Sequence, residues 1–257
     1  MPGVIEHRFP RKLVRGEIVR KVNRFIAEVR LGRREKAFAH IPHTGRLPEL
    51  LAPGRECWLD PVGASASRWT EYTLTLVRAA NGQLACVDTG VPNRLARSAA
   101  KVGALASLPG YLYEAHEVSW GDSRVDLMLR SPAGRKLALV EVKSVTWVVD
   151  GCALFPDAPS VRGAKHLHNL AAAKARGFRA LQLYIVQRAD GRWFAPASFV
   201  DPGYIEAAAE ARRQGVEFAA LWCEVWDDRV ALGGKLPVRL RPVGGRIVRK
   251  ALANALN

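Results

Sequence analysis

The chain has 257 residues, 49% of them hydrophobic, and carries 39 Lys and Arg against 24 Asp and Glu, for a formal net charge of +15. This apolar content is enough to bury a core, so it excludes an intrinsically disordered or low-complexity chain, and the length favours two modest domains. Four widely spaced cysteines are too few for a disulfide scaffold and form no zinc-ligand pair, which predicts buried free thiols.

The positive charge is concentrated at the two ends of the chain. Residues 1–50 carry 12 basic and 5 acidic side chains, and residues 239–257 carry 5 basic and no acidic ones. A localised basic surface attracts polyanions, so nucleic acid is favoured as the partner over a merely solvated surface. No run of 18 apolar residues and no secretory signal at Met1–Phe9 are visible, which predicts no membrane partner and a cytoplasmic location.

The first part of the chain, residues 1–90, is typical of a small β-barrel. The residues of Phe25–Leu31 alternate in hydrophobicity as in a half-buried strand, and Asn81-Gly82 predicts a hairpin. Five or six short strands in about 75 residues favour an OB-like barrel, a fold that often binds nucleic-acid strands and often binds proteins or nothing instead. The predicted strands are Val14–Val22, Phe25–Leu31, Glu35–His40, Glu56–Asp60, Tyr72–Arg78 and Leu84–Asp88.

The pattern changes near residue 90, and residues 91–238 are typical of an α/β or α+β domain with a mixed sheet. Helices are predicted over Pro92–Ser107, Val161–Ala175 and Gly203–Gln214. Residues 239–257 are a basic C-terminal tail with a candidate short helix over Arg246–Leu256. The predicted strands are Tyr113–Val118, Arg124–Arg130, Lys136–Lys143, Val145–Val149, Leu181–Gln187, Val216–Trp226 and Arg229–Leu232.

One hairpin of this second part carries the residues best suited to chemistry. Gly134 makes the turn between a strand with Asp126 and a strand with Glu141 and Lys143. Side chains alternate along a strand, so Glu141 and Lys143 share a face, and Asp126 joins them if the register allows. Two carboxylates suit a hard ion such as Mg²⁺ or Mn²⁺, and a lysine beside them suits phosphodiester hydrolysis. A structural ion pair is the alternative.

The Asp126…Glu141-Val142-Lys143 set resembles the pattern of the PD-(D/E)xK nuclease superfamily. The whole chain more specifically resembles the SfsA family, the sugar fermentation stimulation protein A homologues, over about residues 15–240. Several sequence blocks in the family's order carry this resemblance; they are Pro42-His43-Thr44-Gly45, Val91-Pro92-Asn93-Arg94-Leu95, Glu117-Val118 followed by Ser123-Arg124-Val125-Asp126, Glu141-Val142-Lys143-Ser144-Val145-Thr146, Phe155-Pro156-Asp157-Ala158 and Arg162-Gly163-Ala164-Lys165-His166-Leu167.

The resemblance implies an N-terminal OB-like β-barrel joined to a PD-(D/E)xK nuclease-like mixed-sheet domain. It also implies non-specific DNA binding and a regulatory role in sugar, particularly maltose, metabolism. Asp126 and Glu141 are then metal ligands and Lys143 is the catalytic lysine. His43 stands where family members usually carry Asn, which leaves a fixed role for that amide open.

Further site residues are candidates with stated alternatives. Glu117 is either a third acidic ligand or an exposed strand glutamate. Arg162, Lys165 and His166 lie at the start of a predicted helix, where a helix N-terminus and cations favour phosphate; Lys165 as a solvated cation and His166 as a packing residue are the alternatives. Cations of the barrel that could follow a nucleic-acid backbone are Arg20, Lys21, Arg24, Arg33 and Arg34.

These features favour a DNA-binding protein whose binding is mostly electrostatic and independent of sequence. An active Mg²⁺- or Mn²⁺-dependent DNA nuclease is one alternative, because the two carboxylates and the lysine are intact. A non-catalytic transcription regulator is another, although no clear helix-turn-helix for base readout is visible. A membrane-surface role is the weakest, since the basic tail lacks bulky aromatic anchors.

Overall fold

The computed structural model describes residues 3–32, 35–64, 69–105 and 107–256, which form sixteen strands in three sheets and four helices. The helices are α1 (Gly90–Lys101), α2 (Val161–Ala175), α3 (Pro202–Arg213) and α4 (Gly245–Leu256). The strands are β1 (Glu6–Arg8), β2 (Val14–Asn23), β3 (Ile26–Leu31), β4 (Glu35–His40), β5 (Glu56–Pro61), β6 (Tyr72–Arg78), β7 (Leu84–Cys86), β8 (Leu112–Trp120), β9 (Ser123–Arg130), β10 (Leu137–Val145), β11 (Trp147–Val149), β12 (Cys152–Phe155), β13 (Arg179–Val186), β14 (Trp193–Pro196), β15 (Glu217–Val225) and β16 (Arg229–Leu236).

The barrel consists of β2 to β7. Its strand order is β4-β3-β2-β5-β6-β7, and an additional pairing of β4 with β6 closes five of the strands into a ring. Strand β2 pairs with both β3 and β5, and register shifts at Ile18–Arg20 and Lys21–Asn23 bend it, as β-bulges do. The interior is filled by side chains such as Ile18, Leu59 and Leu74. The predicted OB-like barrel is confirmed.

The larger sheet has the strand order β1-β16-β15-β13-β10-β9-β8. Strand β13 is parallel to β10 and β15, and the other pairs are antiparallel, so the sheet is mixed as predicted. Helix α1 and part of the barrel cover one face, and α2 and α3 cover the other. Because both faces are covered, central strand β13 is almost entirely buried and apolar. The predicted mixed-sheet domain is confirmed.

Helix α1 is shorter than the predicted span to Ser107. It ends at Lys101, and Gly103 follows with φ 65°, a left-handed conformation that terminates helices and favours glycine. The predicted hairpins are present: β6 and β7 pair across Asn81-Gly82, and β9 and β10 pair across Gly134.

A small third sheet, β11-β12-β14, packs against the C-terminal helix. The basic tail is therefore anchored: Ala251 of α4 is fully buried, Lys250 Nζ lies 2.7 Å from Asp150 Oδ1, and Arg239 stacks over Trp193. Strands β1, β12 and β14 were not predicted. Each has only three or four residues; β1 and β14 pair with distant strands, whereas β12 forms a hairpin with the neighbouring β11.

Contacts between the barrel and the larger sheet fix the two parts beside each other. The fully buried Arg188 guanidinium binds Glu49 of the barrel at 2.6 Å and Asp190 at 2.7 Å. The four cysteines are buried and free, as predicted. No helix in the described part of the chain is long and apolar enough to cross a membrane.

Candidate functional site

The candidate site forms where strands β9 and β10 separate. Their backbone pairing runs from Leu137↔Arg130 to Val140↔Leu127. Beyond the last pair, β10 is hydrogen-bonded to the side chain of Asp126. Asp126 Oδ2 accepts a hydrogen bond from the Val142 backbone N–H at 2.7 Å, and Oδ1 accepts one from Asn93 of α1 at 3.1 Å. The carboxylate is therefore held by two different elements.

Glu141 is a residue of β10, lies close to Asp126 of β9 and is only 3% exposed. Lys143 Nζ is 2.6 Å from Glu141 Oε1, and His166 of α2 contacts the same oxygen. Arg162 donates from Nε to His166 Nε2 at 3.2 Å, so that nitrogen carries no proton and Nδ1–H is the donor to Glu141. Arg162 thus fixes the tautomer in which His166 holds the glutamate.

The two carboxylates have opposite pKa shifts. Burial and the neighbouring charge of Glu141 raise the pKa of Asp126 to about 6. Burial would also raise the pKa of Glu141, but the hydrogen bond from His166 and the charge of Lys143 outweigh it and lower the pKa. Of this buried and half-buried pair, only Glu141 is on balance stabilised as an anion by its neighbours, which favours binding of an additional cation beside Asp126.

A cavity of about 690 Å³ opens onto this group, and both domains line it. Asp126, Glu141 and Lys143 form one wall, and Thr44 and Gly45 of the barrel contribute to another. The N-terminal parts of α1 and α2 and the segment between β12 and α2 also line it. A ligand in this cavity would therefore contact the barrel and the larger sheet at once.

The donor set fits a hard divalent cation. Carboxylate oxygens are the ligands that Mg²⁺ prefers, and this ion takes one or two of them, keeps several waters and uses substrate phosphate oxygens for the rest. In the described part of the chain, no group of three or more His, Cys, Asp or Glu side chains is placed to hold a metal ion. The predicted set of three carboxylates is thus reduced to the pair Asp126 and Glu141.

The structure does not bring Glu117 into the cavity. Glu117 lies on the edge strand β8 and has a φ of 50°. Its side chain is 68% exposed and pairs with Arg124 at 3.3 Å. The fold explains the difference from the expected third ligand: in the sheet, β9 lies between β8 and β10, so Glu117 is two strands away from Glu141.

The residues predicted to bind nucleic acid fall into four groups. Arg24, Arg162 and His166 line the candidate site, whereas exposed Lys165 pairs with Asp122 at 2.9 Å outside it. Arg20 and Lys21 line a second cavity, and Arg20 is ion-paired with Glu28 at 2.6 Å. The prediction for Arg33 and Arg34 lies outside the described residues.

Three residues of the site had no chemical role assigned from the sequence. Asn93 reaches Asp126 across 33 positions, and Asp157 binds the Leu47 N–H at 2.9 Å across 110. His43 is buried and accepts the Gly45 N–H at 2.9 Å within its own turn, as expected for a packing or capping histidine. All three belong to the sequence blocks that carried the family resemblance, and that was the only signal for them.

Comparison with known proteins gives two family matches that cover most of the chain. Residues 19–87 match the SfsA N-terminal OB domain, and residues 90–229 match the sugar fermentation stimulation protein RE domain. The chain is 40% identical over 232 residues to a sugar fermentation stimulation protein homolog of Moorella thermoacetica, covering 90% of this chain and 98% of that protein. A homolog of Citrifermentans bemidjiense is 42% identical over 91% of this chain and all of that protein.

A solved structure agrees with these matches. The structure of Pyrococcus furiosus SfsA in complex with Ca²⁺ superimposes with a TM-score of 0.81 and 29% sequence identity, covering 92% of this chain and 99% of that one. Both domains, in the same order, are shared with these relatives. The chain therefore belongs to the SfsA family.

Proposed function

We propose that this protein binds DNA without sequence preference and holds a divalent metal ion, Mg²⁺ or Mn²⁺, at a phosphodiesterase-type site. The observation that carries the proposal is the meeting of Asp126, Glu141 and Lys143 in one cavity lined by both domains. The Ca²⁺ bound by the Pyrococcus furiosus relative supports the use of a hard divalent cation. A DNA partner and four buried free thiols also favour a cytoplasmic location.

Each residue has a chemical task in this proposal. Asp126 and Glu141 would hold the ion, which when bound makes water a better nucleophile and neutralises phosphate charge. The Lys143 ammonium, 2.6 Å from Glu141, stabilises negative charge that develops on the phosphorus oxygens. Exposed Arg162, at the N-terminus of α2, adds a positive charge where a helix start already favours phosphate.

A cleavage assay tests the catalytic part. Purified protein is incubated with single- and double-stranded DNA and Mg²⁺ or Mn²⁺, and Asp126→Asn, Glu141→Gln and Lys143→Ala are compared with wild type. Each variant is expected to lose activity at least about a hundredfold, because each removes a metal ligand or a charge-stabilising group.

Two control variants sharpen this assay. Glu210→Gln removes a carboxylate of α3 that pairs with Arg213 and is expected to leave cleavage unchanged. Glu117→Gln tests the remaining acidic candidate, and its position outside the cavity predicts no change. Cleavage that is equal in wild type and all three site variants would contradict the proposed site.

DNA binding without cleavage is the second candidate, in the regulatory role in sugar metabolism that the names of the relatives suggest. Binding carried by phosphate contacts releases counterions, so the slope of log K against log salt is expected to be steeper than about −3. Binding is measured by fluorescence anisotropy with EDTA at several salt concentrations. A nearly flat slope would contradict electrostatic binding, and a discrete footprint on one operator would favour a sequence-specific regulator.

A further inference from the structure

A second cavity, of about 340 Å³, lies next to the candidate site and is not used by the proposed chemistry. It forms where the barrel segment 46–53 meets β11, the segment before α3 and helix α4. Its volume lies at the small end of the range of roughly 300–1,000 Å³ typical of ligand pockets, which are often found between domains. Asp157 lines both cavities, so the two are adjacent.

The inner wall of this cavity is apolar and aromatic. Trp147 and Phe199 meet edge to face with ring centroids 5.7 Å apart, and Leu51 and Leu252 complete the wall. The Trp147 side chain is buried, and its Nε1–H has no hydrogen-bond acceptor among the residues that the structure describes. A ligand with a planar ring would pack against this aromatic and apolar wall.

The charged residues of the lining leave two cations available. The lining contains three basic and two acidic side chains, which are Arg20, Lys21, Arg46, Glu49 and Asp157. Arg20 and Glu49 are already ion-paired with other residues. Lys21 and Arg46 are exposed, and within the described ranges neither has a carboxylate at ion-pair distance. Two such cations beside an apolar wall are complementary to an anion attached to a ring.

We propose that the second cavity binds a nucleoside monophosphate, with the base against Trp147 and Phe199 and the phosphate at Lys21 and Arg46. The same chemistry occurs in a free nucleotide and in the terminal nucleotide of a DNA strand. A strand end placed here would lie beside the candidate metal site, because the two cavities share Asp157.

Calorimetric titration with thymidine 5′-monophosphate tests this proposal, with EDTA present so that the result does not depend on a metal. Thymidine, which lacks the anion, and inorganic phosphate, which lacks the ring, are each expected to bind at least about tenfold more weakly. Binding of phosphate alone with the affinity of the nucleotide would overturn the proposal, since the apolar wall would then contribute nothing.

Variants locate the binding. Lys21→Gln/Arg46→Gln removes both available cations, and Leu252→Trp fills the cavity from a half-exposed position without touching the core. Each is expected to weaken nucleotide binding at least about tenfold, whereas Lys12→Gln/Arg135→Gln, which removes the same charge from exposed positions elsewhere, leaves it unchanged. No detectable binding at millimolar nucleotide, or equal affinity in all variants, would overturn the proposal.

A 5′-phosphorylated oligothymidylate separates the two sources of the ligand. If the terminal nucleotide occupies the cavity, Lys21→Gln/Arg46→Gln and Leu252→Trp weaken oligonucleotide binding more than Lys12→Gln/Arg135→Gln does, and the oligonucleotide displaces the mononucleotide. If the ligand is a free nucleotide, both kinds of ligand bind together and Leu252→Trp affects the mononucleotide alone. Either result supports binding of a nucleoside monophosphate in the second cavity. Variants that lose oligonucleotide binding but keep mononucleotide binding would contradict it.

Discussion

At the scale of single residues, the candidate site is built from groups that the fold holds in costly environments. Glu141 is a buried carboxylate and Asp126 a half-buried one, and Lys143 and His166 form hydrogen bonds with Glu141. Asp126 receives one backbone and one amide hydrogen bond instead. Such an uneven pair is typical of a functional site, because burial and like charge are not arranged for stability alone.

The raised pKa of Asp126 predicts a pH dependence of stability. Its pKa rises from 3.8 in the unfolded chain to about 6 in the folded one, so the folded state binds the proton more tightly between these values. The free energy of unfolding of wild type, relative to Asp126→Asn, is therefore expected to fall by about 1–3 kcal/mol as the pH rises from 4 to 7.

Urea unfolding of both proteins at a series of pH values measures this difference. The two stability curves should converge towards low pH, where Asp126 is protonated in both states, separate between about pH 4 and 6, and run parallel above about pH 7. Curves that remain parallel from pH 4 to 7 would contradict the assigned environment of the carboxyl group.

At the scale of elements, one barrel turn fits against the segment between β12 and α2. Gly45 lies so close to Asp157 that a Cβ atom there would be 1.9 Å from Oδ1, while Oδ2 of the same carboxylate accepts the Leu47 N–H. The absence of a side chain at Gly45 is therefore what lets the turn meet the carboxylate. This contact sets the position of the barrel wall of the candidate site.

Substitution of this glycine should separate the two elements. In Gly45→Ala the methyl group displaces the Asp157 carboxylate and breaks its bond to Leu47, at an expected cost of about 1–2 kcal/mol in the free energy of unfolding. Gly244→Ala is the matched control, because nothing lies within 4 Å of a Cβ there. A cost equal to that of the control, measured by chemical denaturation, would refute the close fit.

At the scale of the whole molecule, the barrel and the larger sheet are joined by a buried polar link. Arg188 is 1% exposed and binds Glu49 from the barrel and Asp190 from its own domain. Next to it, the Gln187 carbonyl accepts the Cys86 N–H at 3.1 Å, so backbone and side chains connect the same two parts. The candidate site lies between these parts and depends on their fixed arrangement.

Removal of the arginine should weaken this arrangement. Arg188→Met leaves two carboxylates buried without their cation and is expected to lower the free energy of unfolding by about 3–5 kcal/mol. Arg130→Met removes an equally well-paired but exposed arginine, and the expected loss is about 0–1 kcal/mol. Calorimetry measures both, and equal losses in the two variants would show that the buried link does not join the domains.

Much of the fold and the centre of the site could be predicted from the sequence because their signals are local. Alternation along Phe25–Leu31 and the turn at Gly134 fix strands and a hairpin over short distances. Strand geometry alone places Glu141 and Lys143 on one face, and the structure shows them 2.6 Å apart. The short strand β1 could not be predicted, since its pairing with the distant strand β16 decides it.

What the sequence by itself determined is the family, the order of the two domains and the hairpin with Asp126, Glu141 and Lys143, since each depends on residues close together in the chain. Only the tertiary structure decided that Asn93 and Asp157 belong to the site and that Glu117 does not. These outcomes depend on how strands and domains meet across many residues. No local sequence pattern encodes such long-range contacts, because the packing of the complete chain determines them.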